Sequence, residues 1–575
     1  MNHREVQKLL EKLNYDASSK MAKQYLEEND KNKDGSLDFG EFVEMCLKLF
    51  AIKEISDFKV KSVTEFQNFL KNQQKEVVSE QECKRLFEKY NPEKETSGIW
   101  LNYFIVSEDN SVMNPKLAQV YQNMDEPLTH YFIDSSHNTY LSGHQLKGES
   151  SIEMYASALR RGCRCVELDV WDGETEPMIK HGYTLTTKIN LRDVCEVIAE
   201  NAFIASSYPL ILSIENHTSK AQQSIMADIF TATFGSSLAS PSQYLNNRNS
   251  LPSPNELKNK ILLKGTMFSS NLVDPEEFEE QKEKLEKTGG ENHKEERGML
   301  SKSTKLTNLK DLKIDTNHSF EMEMPTEKKI EVITSKLAEL IFLKSSGFKG
   351  FNVSTNNKFY EMCSFSEGII EKEQFNEHIK YNENHLSRIY PKGTRFDSSN
   401  YYPIPHWNCN SQIVALNYQT CSNPMILNRG KFRENGKTGF VLQPSYHKYD
   451  FSYKLLKVKV MRAIHLPRTG ETSDPFIAIS IHGESDKQRY KTKVVDNNGF
   501  NPCWDETTQF KITNPLSILL FKVKDKDVIG SKNIVHYAIP IHCIRQGIRA
   551  IHLEDNLDNK KNHGATVLLC HFEFN

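Results

Sequence analysis

The sequence predicts a multidomain protein with an α-helical lobe, a (β/α)8 barrel of the TIM type and an all-β sandwich, in that order. Its 575 residues exceed the size of one ordinary domain. Short apolar runs that end in polar residues alternate with helical segments over 119–265 and again over 336–445, which is the order of a parallel sheet or barrel. Beyond about residue 450, strand-like runs follow one another with turn residues between them, as in a sandwich.

The domain boundaries follow changes in composition. The predicted units are a helical lobe over 1–118, a first barrel half over 119–266, a charged linker over 267–332, a second barrel half over 333–449 and the sandwich over 450–575. Part of the linker, 274–298, carries ten acidic and five basic residues, a net charge of −5. Because such a segment cannot bury enough apolar surface to fold, we expect a disordered linker that splits one eight-stranded barrel.

Composition and charge exclude several classes of function. The chain is 38% hydrophobic and 26% charged, as soluble globular proteins are. Its net charge of −3 argues against nucleic acid as a partner. No apolar run approaches the ~18 residues of a membrane span, so we expect peripheral membrane contact. Eleven scattered cysteines without a C-x-x-C pair indicate a cytoplasmic location, with the nucleus left open, and we expect a monomer.

A twelve-residue loop, DKNKDGSLDFGE at 30–41, interrupts the helical lobe. Calcium takes about six to eight hard oxygen ligands, and this loop has the spacing of an EF-hand, with a glycine at its sixth position for the sharp turn. The predicted calcium ligands are Asp30, Asn32, Asp34, Ser36, Asp38 and Glu41. The alternative is a helix–loop–helix that binds no calcium.

Polar residues stand where the predicted barrel strands end, which is where barrel enzymes carry their catalytic groups. Glu167 and Asp169 are two residues apart on one strand and therefore share a face. The sequence places His181 at the end of a third strand and Glu215 at the end of a fourth. The remaining strand-end candidates are His137, Asn138, Lys264, Ser364, Arg388 and Tyr390.

These residue types fit phosphoryl transfer at a metal. Asn138, Glu167, Asp169 and Glu215 offer oxygen without sulfur, a set that suits calcium or magnesium. Two histidines can move protons near neutral pH. Lysine, serine and arginine suit anionic oxygens, and a tyrosine can stack on a ring. Taken singly, each residue also has a structural explanation, such as a solvated strand end or a helix cap.

Several stretches resemble eukaryotic phosphoinositide-specific phospholipase C. They are FIDSSHNTYLSGHQL, ALRRGCRCVELDVWDG, KHGYTLTTKI, YPLILSIENH, SFSE, LSRIYPKGTRFDSSNY and WNCNSQIVALNYQT. The resemblance covers nearly the whole chain, with an EF-hand lobe, X and Y barrel halves, a charged linker and a C2-type sandwich. The layout is most similar to the zeta type, with the delta type close, and the N-terminus resembles the second hand of the usual EF-hand array.

The resemblance implies calcium-dependent hydrolysis of phosphatidylinositol 4,5-bisphosphate to inositol 1,4,5-trisphosphate and diacylglycerol through a cyclic phosphodiester. It implies that His137 stabilises the pentavalent phosphorus and that His181 is the general acid. It implies that Glu167 is both a calcium ligand and the base for the inositol 2-hydroxyl. The other implied calcium ligands are Asn138, Asp169 and Glu215, and the implied substrate contacts are Lys264, Ser364, Arg388 and Tyr390.

The sandwich departs from the family pattern. Asp474, Asp525 and Asp527 match only part of the set of acidic residues that usually binds calcium in such a sandwich. Calcium binding by the sandwich and a calcium-independent role in membrane contact or packing therefore both remain open.

Two alternatives to the enzyme and one hypothesis about control follow from the same sequence. A catalytically silent phosphoinositide-binding scaffold would be expected to lack one of the histidines, yet His137 and His181 both stand in intact motifs. A calcium-sensing membrane adaptor would leave the polar strand ends unexplained. We also hypothesise that the acidic linker covers the barrel mouth and is repelled by an anionic bilayer; the alternative is a passive tether.

The fifth barrel strand leads to a prediction about selectivity. Members of the family usually carry Lys-x-Lys where this chain has Lys264-Gly265-Thr266. Because loss of a charge-assisted contact costs about 1.5–3 kcal/mol, we expect weaker discrimination for the bisphosphate over less phosphorylated lipids. Turnover of both lipids by the wild type and Thr266→Lys measures this, and unchanged selectivity in the variant would contradict it.

Overall fold

The computed structural model describes residues 1–15, 18–94, 99–270, 330–369, 374–446, 451–468, 473–483, 488–514, 516–527, 530–555 and 566–575. Most of the predicted linker, including its acidic part, lies outside these residues. No helix in the described part of the chain combines the length and the apolar character that a membrane span requires.

The N-terminal lobe is helical, as predicted. Its helices are His3–Lys12, Ser19–Asn29, Phe39–Phe50, Val63–Asn72, Glu80–Tyr90 and Trp100–Ile105. The first three pack through buried Val6, Leu10 and Met45, and the last three pack around Phe66 and Trp100, whose rings meet edge to face at 5.2 Å. The lobe is thus two small helical cores in sequence.

The barrel is a closed ring of eight parallel strands. The strands of this region are β1 Tyr131–Ser136, β2 Cys165–Trp171, β3 Met178–Ile179, β4 Ile189–Asn190, β5 Leu210–His217, β6 Ile261–Gly265, β7 Phe268–Ser270, β8 Ile330–Val332, β9 Ile341–Ser345, β10 Glu361–Ser366, β11 Ser387–Tyr390, β12 Ile413–Leu416 and β13 Phe440–Leu442. The ring runs β1-β2-β5-β6-β9-β10-β11-β12, and β1 closes it by pairing with both β12 and β2. The predicted (β/α)8 barrel, split after its fourth strand, is confirmed.

Two of the strand predictions differ from the structure. The predicted third strand is not a barrel strand, because β3 has two residues and pairs antiparallel with β2, so His181 reaches the mouth on a hairpin beside the ring. The strand β9 completes the ring, although the sequence pattern did not single it out. The ends of the predicted linker, β7 and β8, pair antiparallel, so the chain returns to the point where it left the barrel.

Helices surround the barrel between its strands. They are Ile152–Arg160, Leu191–Asn201, Lys220–Phe234, Pro241–Tyr244, Ser335–Ala338, Phe351–Ser354, Phe375–Asn384, Ile404–Asn408 and Asn423–Lys431. Inside the ring, apolar side chains such as Ile133, Cys165, Ile211 and Ile413 fill the floor. Because side chains alternate along a strand, every second residue beyond this floor points into the mouth.

The C-terminal unit is the predicted sandwich of two four-stranded antiparallel sheets. One sheet has the order β17-β14-β21-β20 and the other β16-β15-β18-β19. The strands are β14 Leu455–Ile464, β15 Pro475–His482, β16 Arg489–Lys491, β17 Cys503–Lys511, β18 Ile518–Lys526, β19 Ser531–Pro540, β20 Gly547–His552 and β21 Val567–Phe574. Leu456, Val458, Ile479 and Phe521 are among the side chains that fill the space between the sheets.

The sandwich joins the other two units. Gly430 lies so close to β19 that an added Cβ would be 2.7 Å from the Cβ of Ala538, which fixes the barrel helix Asn423–Lys431 against the sandwich. On the other side, the fully buried Arg549 donates to Asn110 Oδ1 at 2.9 Å and to the Gln74 carbonyl at 2.8 Å. These buried contacts hold the barrel and the helical lobe against one scaffold.

Candidate active site at the barrel mouth

The carboxylates predicted on two strands come together at the mouth. The inward positions of β2 run from Cys165 through Glu167 to Asp169, so the face that fills the floor also carries both acids. The neighbouring strand β5 is parallel and in register, with Asp169 opposite Glu215. Carboxylate oxygens of Glu167, Asp169 and Glu215 lie within 4.8 Å of one another.

Asp169 shows that this cluster fits a cation. Its Oδ2 accepts a hydrogen bond of 2.5 Å from the Tyr140 hydroxyl, whereas its Oδ1 is buried with no hydrogen-bond partner among the described residues. Burial, followed by the nearby Glu215 and Glu167, raises the pKa of Asp169 well above its ordinary value. A buried orphan oxygen among three hard oxygen donors is the environment that calcium or magnesium would stabilise.

Asn138 stands directly beside this cluster. Its backbone amide donates to Glu167 Oε2 at 2.9 Å and its side-chain amide donates to Gln145 Oε1 at 2.8 Å. Its φ of 40° lies in the left-handed region, which asparagine adopts more readily than most residues. The sharp turn after β1 therefore brings Asn138 onto the carboxylates.

The predicted basic residues Lys264 and Arg388 are buried. Arg388 contacts a predicted metal ligand, because its Nη2 is 2.6 Å from Glu167 Oε2 and both side chains are buried. Lys264 Nζ is also buried and donates to Ser213 Oγ at 3.2 Å. Burial and the neighbouring Arg388 lower the pKa of Lys264. Ser364 stands opposite Arg388 in the sheet, and its Oγ is buried without a hydrogen-bond partner in the described part of the chain.

Each of the two histidines is held by a hydrogen bond at Nδ1. His137 Nδ1 is 3.0 Å from Asn417 Oδ1, and His181 Nδ1 is 2.7 Å from the Gln145 carbonyl. Since both partners are acceptors, each Nδ1 carries the hydrogen and each Nε2 is left for the cavity. Burial lowers the pKa of both His137 and His181, which favours the neutral form of each ring.

An open cavity of about 300 Å³ connects these groups. Of the predicted site residues, those on its wall are His137, Asn138, Asp169, His181, Glu215 and Tyr390. Lys392 and Arg395 add positive charge on the side of Tyr390. Thr266 lies just past the end of β6 and is exposed. The cavity thus combines an acidic side, two imidazoles and a basic side.

The sequence analysis did not single out His217, Asn417 and Gln145, which also line the cavity. His217 stacks on Trp171 with ring centroids 4.2 Å apart, and its Nε2 is 3.8 Å from Glu215 Oε2. His217 is the last residue of β5 and lies two residues beyond Glu215 on the same face, so the signal was present in the sequence. The same holds for Asn417 after β12, whereas Gln145 lies in a loop that gives no comparable signal.

The predicted EF-hand loop connects the helices Ser19–Asn29 and Phe39–Phe50. Asp30 Oδ2 accepts from the Gly35 amide at 2.9 Å, and Glu41 Oε1 accepts from the Lys31 amide at 2.8 Å. The hydrogen bonds from Ser36 lower the pKa of Asp34. The loop therefore has its acidic side chains turned toward its own backbone amides.

In the sandwich, the three predicted ligands make local contacts. Asp525 Oδ1 accepts from the Asp474 amide at 2.7 Å, and Asp474 Oδ1 accepts from the Asn497 amide at 2.7 Å. The Asp527 amide donates to the Gly530 carbonyl at 3.3 Å. Residues 469–472 and 528–529 of the neighbouring loops lie outside the described residues.

Comparison with known proteins matches both the barrel and the sandwich. The X domain of phosphatidylinositol-specific phospholipase C matches residues 124–267, its Y domain matches 337–446, and the C2 domain matches 454–554. A crystal structure of L. pealei PLC21 has a TM-score of 0.73 and 28% sequence identity, over 99% of this chain and 75% of that chain. A crystal structure of S. officinalis PLC21 also has a TM-score of 0.73, with 29% identity over the same shares.

Two named relatives extend nearly along the whole chain. A 1-phosphatidylinositol 4,5-bisphosphate phosphodiesterase of Dictyostelium discoideum is 36% identical over 99% of this chain and 76% of its own length. The 1-phosphatidylinositol 4,5-bisphosphate phosphodiesterase delta-1 of Homo sapiens is 36% identical over 99% of this chain and 78% of its own length. With both barrel halves matched and relatives of this identity, the chain belongs to the phosphoinositide-specific phospholipase C family and is an enzyme of that class.

Proposed function

We propose that this phospholipase C hydrolyses phosphatidylinositol 4,5-bisphosphate in a calcium-dependent reaction that yields inositol 1,4,5-trisphosphate and diacylglycerol through a cyclic phosphodiester. The observation that carries the proposal is the single cavity that joins the carboxylate cluster to two imidazoles. The two relatives are named as phosphodiesterases of this bisphosphate.

Asn138, Glu167, Asp169 and Glu215 are the residues that would hold calcium. The orphaned Asp169 Oδ1 and the hard oxygen donor set support this assignment. Bound calcium supplies Lewis acidity that lowers the pKa of a coordinated hydroxyl and neutralises phosphate charge. Glu167 is the proposed acceptor of the proton of the inositol 2-hydroxyl, because its carboxylate belongs to the cluster that would hold calcium and lies beside Asn138.

His181 is the proposed general acid for the departing diacylglycerol oxygen. Its Nδ1 is tied to the Gln145 carbonyl, so only Nε2 can exchange a proton with the substrate. Since burial lowers its pKa, the ring must gain a proton when the anionic substrate enters the cavity. The same Nε2 can then take a proton from the water that opens the cyclic product.

His137 is the proposed stabiliser of the pentavalent phosphorus. Asn417 holds its Nδ1, so once the ring has gained a second proton in the presence of the anionic substrate, its Nε2–H can donate to the developing negative oxygen. Lys264, Ser364 and Arg388 are the proposed partners of the ring phosphates, and Tyr390 lies on the cavity wall where an inositol ring would pack. Arg388 would move from Glu167 toward phosphate, or bridge both groups.

The other functions considered from the sequence are less well supported. A silent phosphoinositide-binding scaffold has no need for two imidazoles that both present Nε2 to the acidic cluster. A calcium-sensing membrane adaptor would not require the carboxylate cluster at the barrel mouth.

The remaining assignments concern regulation and location. We assign calcium binding to the EF-hand residues Asp30, Asn32, Asp34, Ser36, Asp38 and Glu41. The matched C2 domain supports peripheral contact with a phosphoinositide-containing membrane. A monomer at the cytoplasmic membrane surface, without a nucleic-acid partner, is the state we propose.

His181→Ala tests the general acid. We expect release of inositol trisphosphate from bisphosphate-containing vesicles to fall by about 10²–10⁴-fold, because one proton-transfer group is lost. His571→Ala, in the sandwich, is the control and should keep full activity. Activity of His181→Ala within a few-fold of the wild type would show that another group protonates the leaving oxygen.

Asp169→Asn tests the carboxylate cluster through stability. A raised carboxyl pKa means that the metal-free fold loses stability as pH rises through that pKa. In chelator, the variant should therefore unfold at a higher temperature than the wild type at pH 8, with a smaller difference at pH 5. Calcium should then raise the unfolding temperature of the wild type more than that of the variant.

The matched control for this experiment is Asp193→Asn, an exposed carboxylate on the helix Leu191–Asn201. It should follow the wild type at both pH values and with calcium. Equal calcium stabilisation of the wild type and Asp169→Asn would remove Asp169 from the ligand set.

A further inference from the structure

A second cavity, of about 190 Å³, lies on the flank of the barrel against the sandwich. Its walls come from the ends of the helices Ile152–Arg160 and Asn423–Lys431 and from the segment that follows each. Five basic side chains line it: Arg160, Arg161, Arg429, Arg433 and Lys437. We call this cavity the flank pocket.

The acidic side chains of the flank pocket are already engaged. Asp134 accepts hydrogen bonds from the Tyr418 hydroxyl and from the Asn428 amide, and its burial raises its pKa. Glu554 is bound to Arg433, with Arg433 Nη2 at 2.6 Å from Glu554 Oε1. The hydrogen bonds and the ion pair of these two carboxylates are thus made with groups other than Arg161, Arg429 and Lys437. Arg161 and Arg429 act on them only through charge, Arg161 lowering the pKa of Asp134 and Arg429 that of Glu554.

Arg161 and Arg429 form a like-charged pair in this setting. Arg161 Nη1 donates to the Tyr418 carbonyl at 3.3 Å, and its Nη2 is buried with no hydrogen-bond partner in the described part of the chain. Burial and the adjacent Arg429 lower the pKa of Arg161. Within the described ranges, neither guanidinium has a carboxylate oxygen within 4 Å. Repulsion between two such groups is relieved when an anion sits between them.

Helix ends offer a simpler reason for basic residues, since cations are stabilised near helix C-termini. That reason fits Arg429, which lies in the last turn of its helix. It does not fit Arg161 as well, because its guanidinium donates to Tyr418 of another segment and stacks over the Tyr418 ring at 4.9 Å. Arg161 is therefore directed into the flank pocket.

The position of the pocket indicates the kind of anion. Both helices follow barrel strands and run back from the mouth, so their C-terminal ends lie toward the opposite end of the barrel. Tyr418 and Met425, which follow the mouth end of β12, also line the pocket, so it lies along the side of the barrel and apart from the mouth that would face a bilayer. The exposed Lys437 stands where a soluble molecule could enter.

We propose that the flank pocket is a binding site for a soluble phosphate ester, whose phosphate group is held between Arg161 and Arg429 with Lys437 at the entrance. Guanidinium groups bind phosphate through paired charge-assisted hydrogen bonds, and the cavity has room for one phosphate group. This site is separate from the catalytic cavity and shares no lining residue with it.

The double variant Arg161→Gln/Arg429→Gln tests the proposal in the full chain. Inorganic phosphate and inositol hexakisphosphate are titrated calorimetrically in chelator at constant ionic strength. The wild type should show one binding event more than the double variant, or an affinity at least about tenfold higher at that event. Arg192→Gln/Arg248→Gln, which removes two exposed arginines elsewhere on the barrel, should behave as the wild type.

Two further measurements complete the test. Lys437→Glu changes only an exposed side chain and should weaken phosphate binding several-fold, which keeps the test valid if the double variant folds poorly. Vesicle binding and lipid hydrolysis should be the same in all these variants. Equal phosphate binding by the wild type, the double variant and Lys437→Glu would overturn the site. Loss of vesicle binding with soluble phosphate binding retained would assign the pocket to a lipid headgroup instead.

Discussion

The structure at the barrel mouth depends on one electrostatic conflict, the crowding of three carboxylates whose oxygens lie within 4.8 Å of one another. Two unit charges at this separation repel by a few kcal/mol at an effective dielectric constant of about 20. Arg388 offsets part of this repulsion from across the ring by its contact with Glu167. The Tyr140 hydroxyl offsets another part at Asp169, yet one oxygen of Asp169 has no hydrogen-bond partner among the residues that the structure describes. A bound cation would offset the repulsion among the carboxylates that Arg388 and Tyr140 do not compensate.

The packing of the rest of the protein holds these three carboxylates close together. Alternation along β2 and β5 turns the acids inward only because the apolar positions before them fill the barrel floor. Gln145 links the two sides of the mouth, since its side chain holds Asn138 and its carbonyl holds His181. Outside the ring, the sandwich contacts both the barrel and the helical lobe, so both outer units are fixed relative to the mouth.

Much of this could be predicted from the sequence because strand ends and period-two alternation are local patterns. They identified the carboxylates, His137 and Asn138, and they also apply to His217, two residues past Glu215, and to Asn417, directly after β12. The sequence could not give the contact of Arg388 with Glu167, because β2 and β11 are not neighbours and contacts across a barrel depend on strand tilt and side-chain length. The hairpin that carries His181 was predicted as a barrel strand because its apolar residues resemble a short buried strand.

Diffraction from crystals grown with calcium tests the central claim most directly. The account predicts an anomalous peak bounded by oxygens of Asn138, Glu167, Asp169 and Glu215, and predicts that Glu215→Gln weakens this peak while leaving any peak in the EF-hand loop. Calcium peaks confined to the EF-hand loop or the sandwich, with Arg388 Nη2 still in contact with Glu167 Oε2, would contradict it.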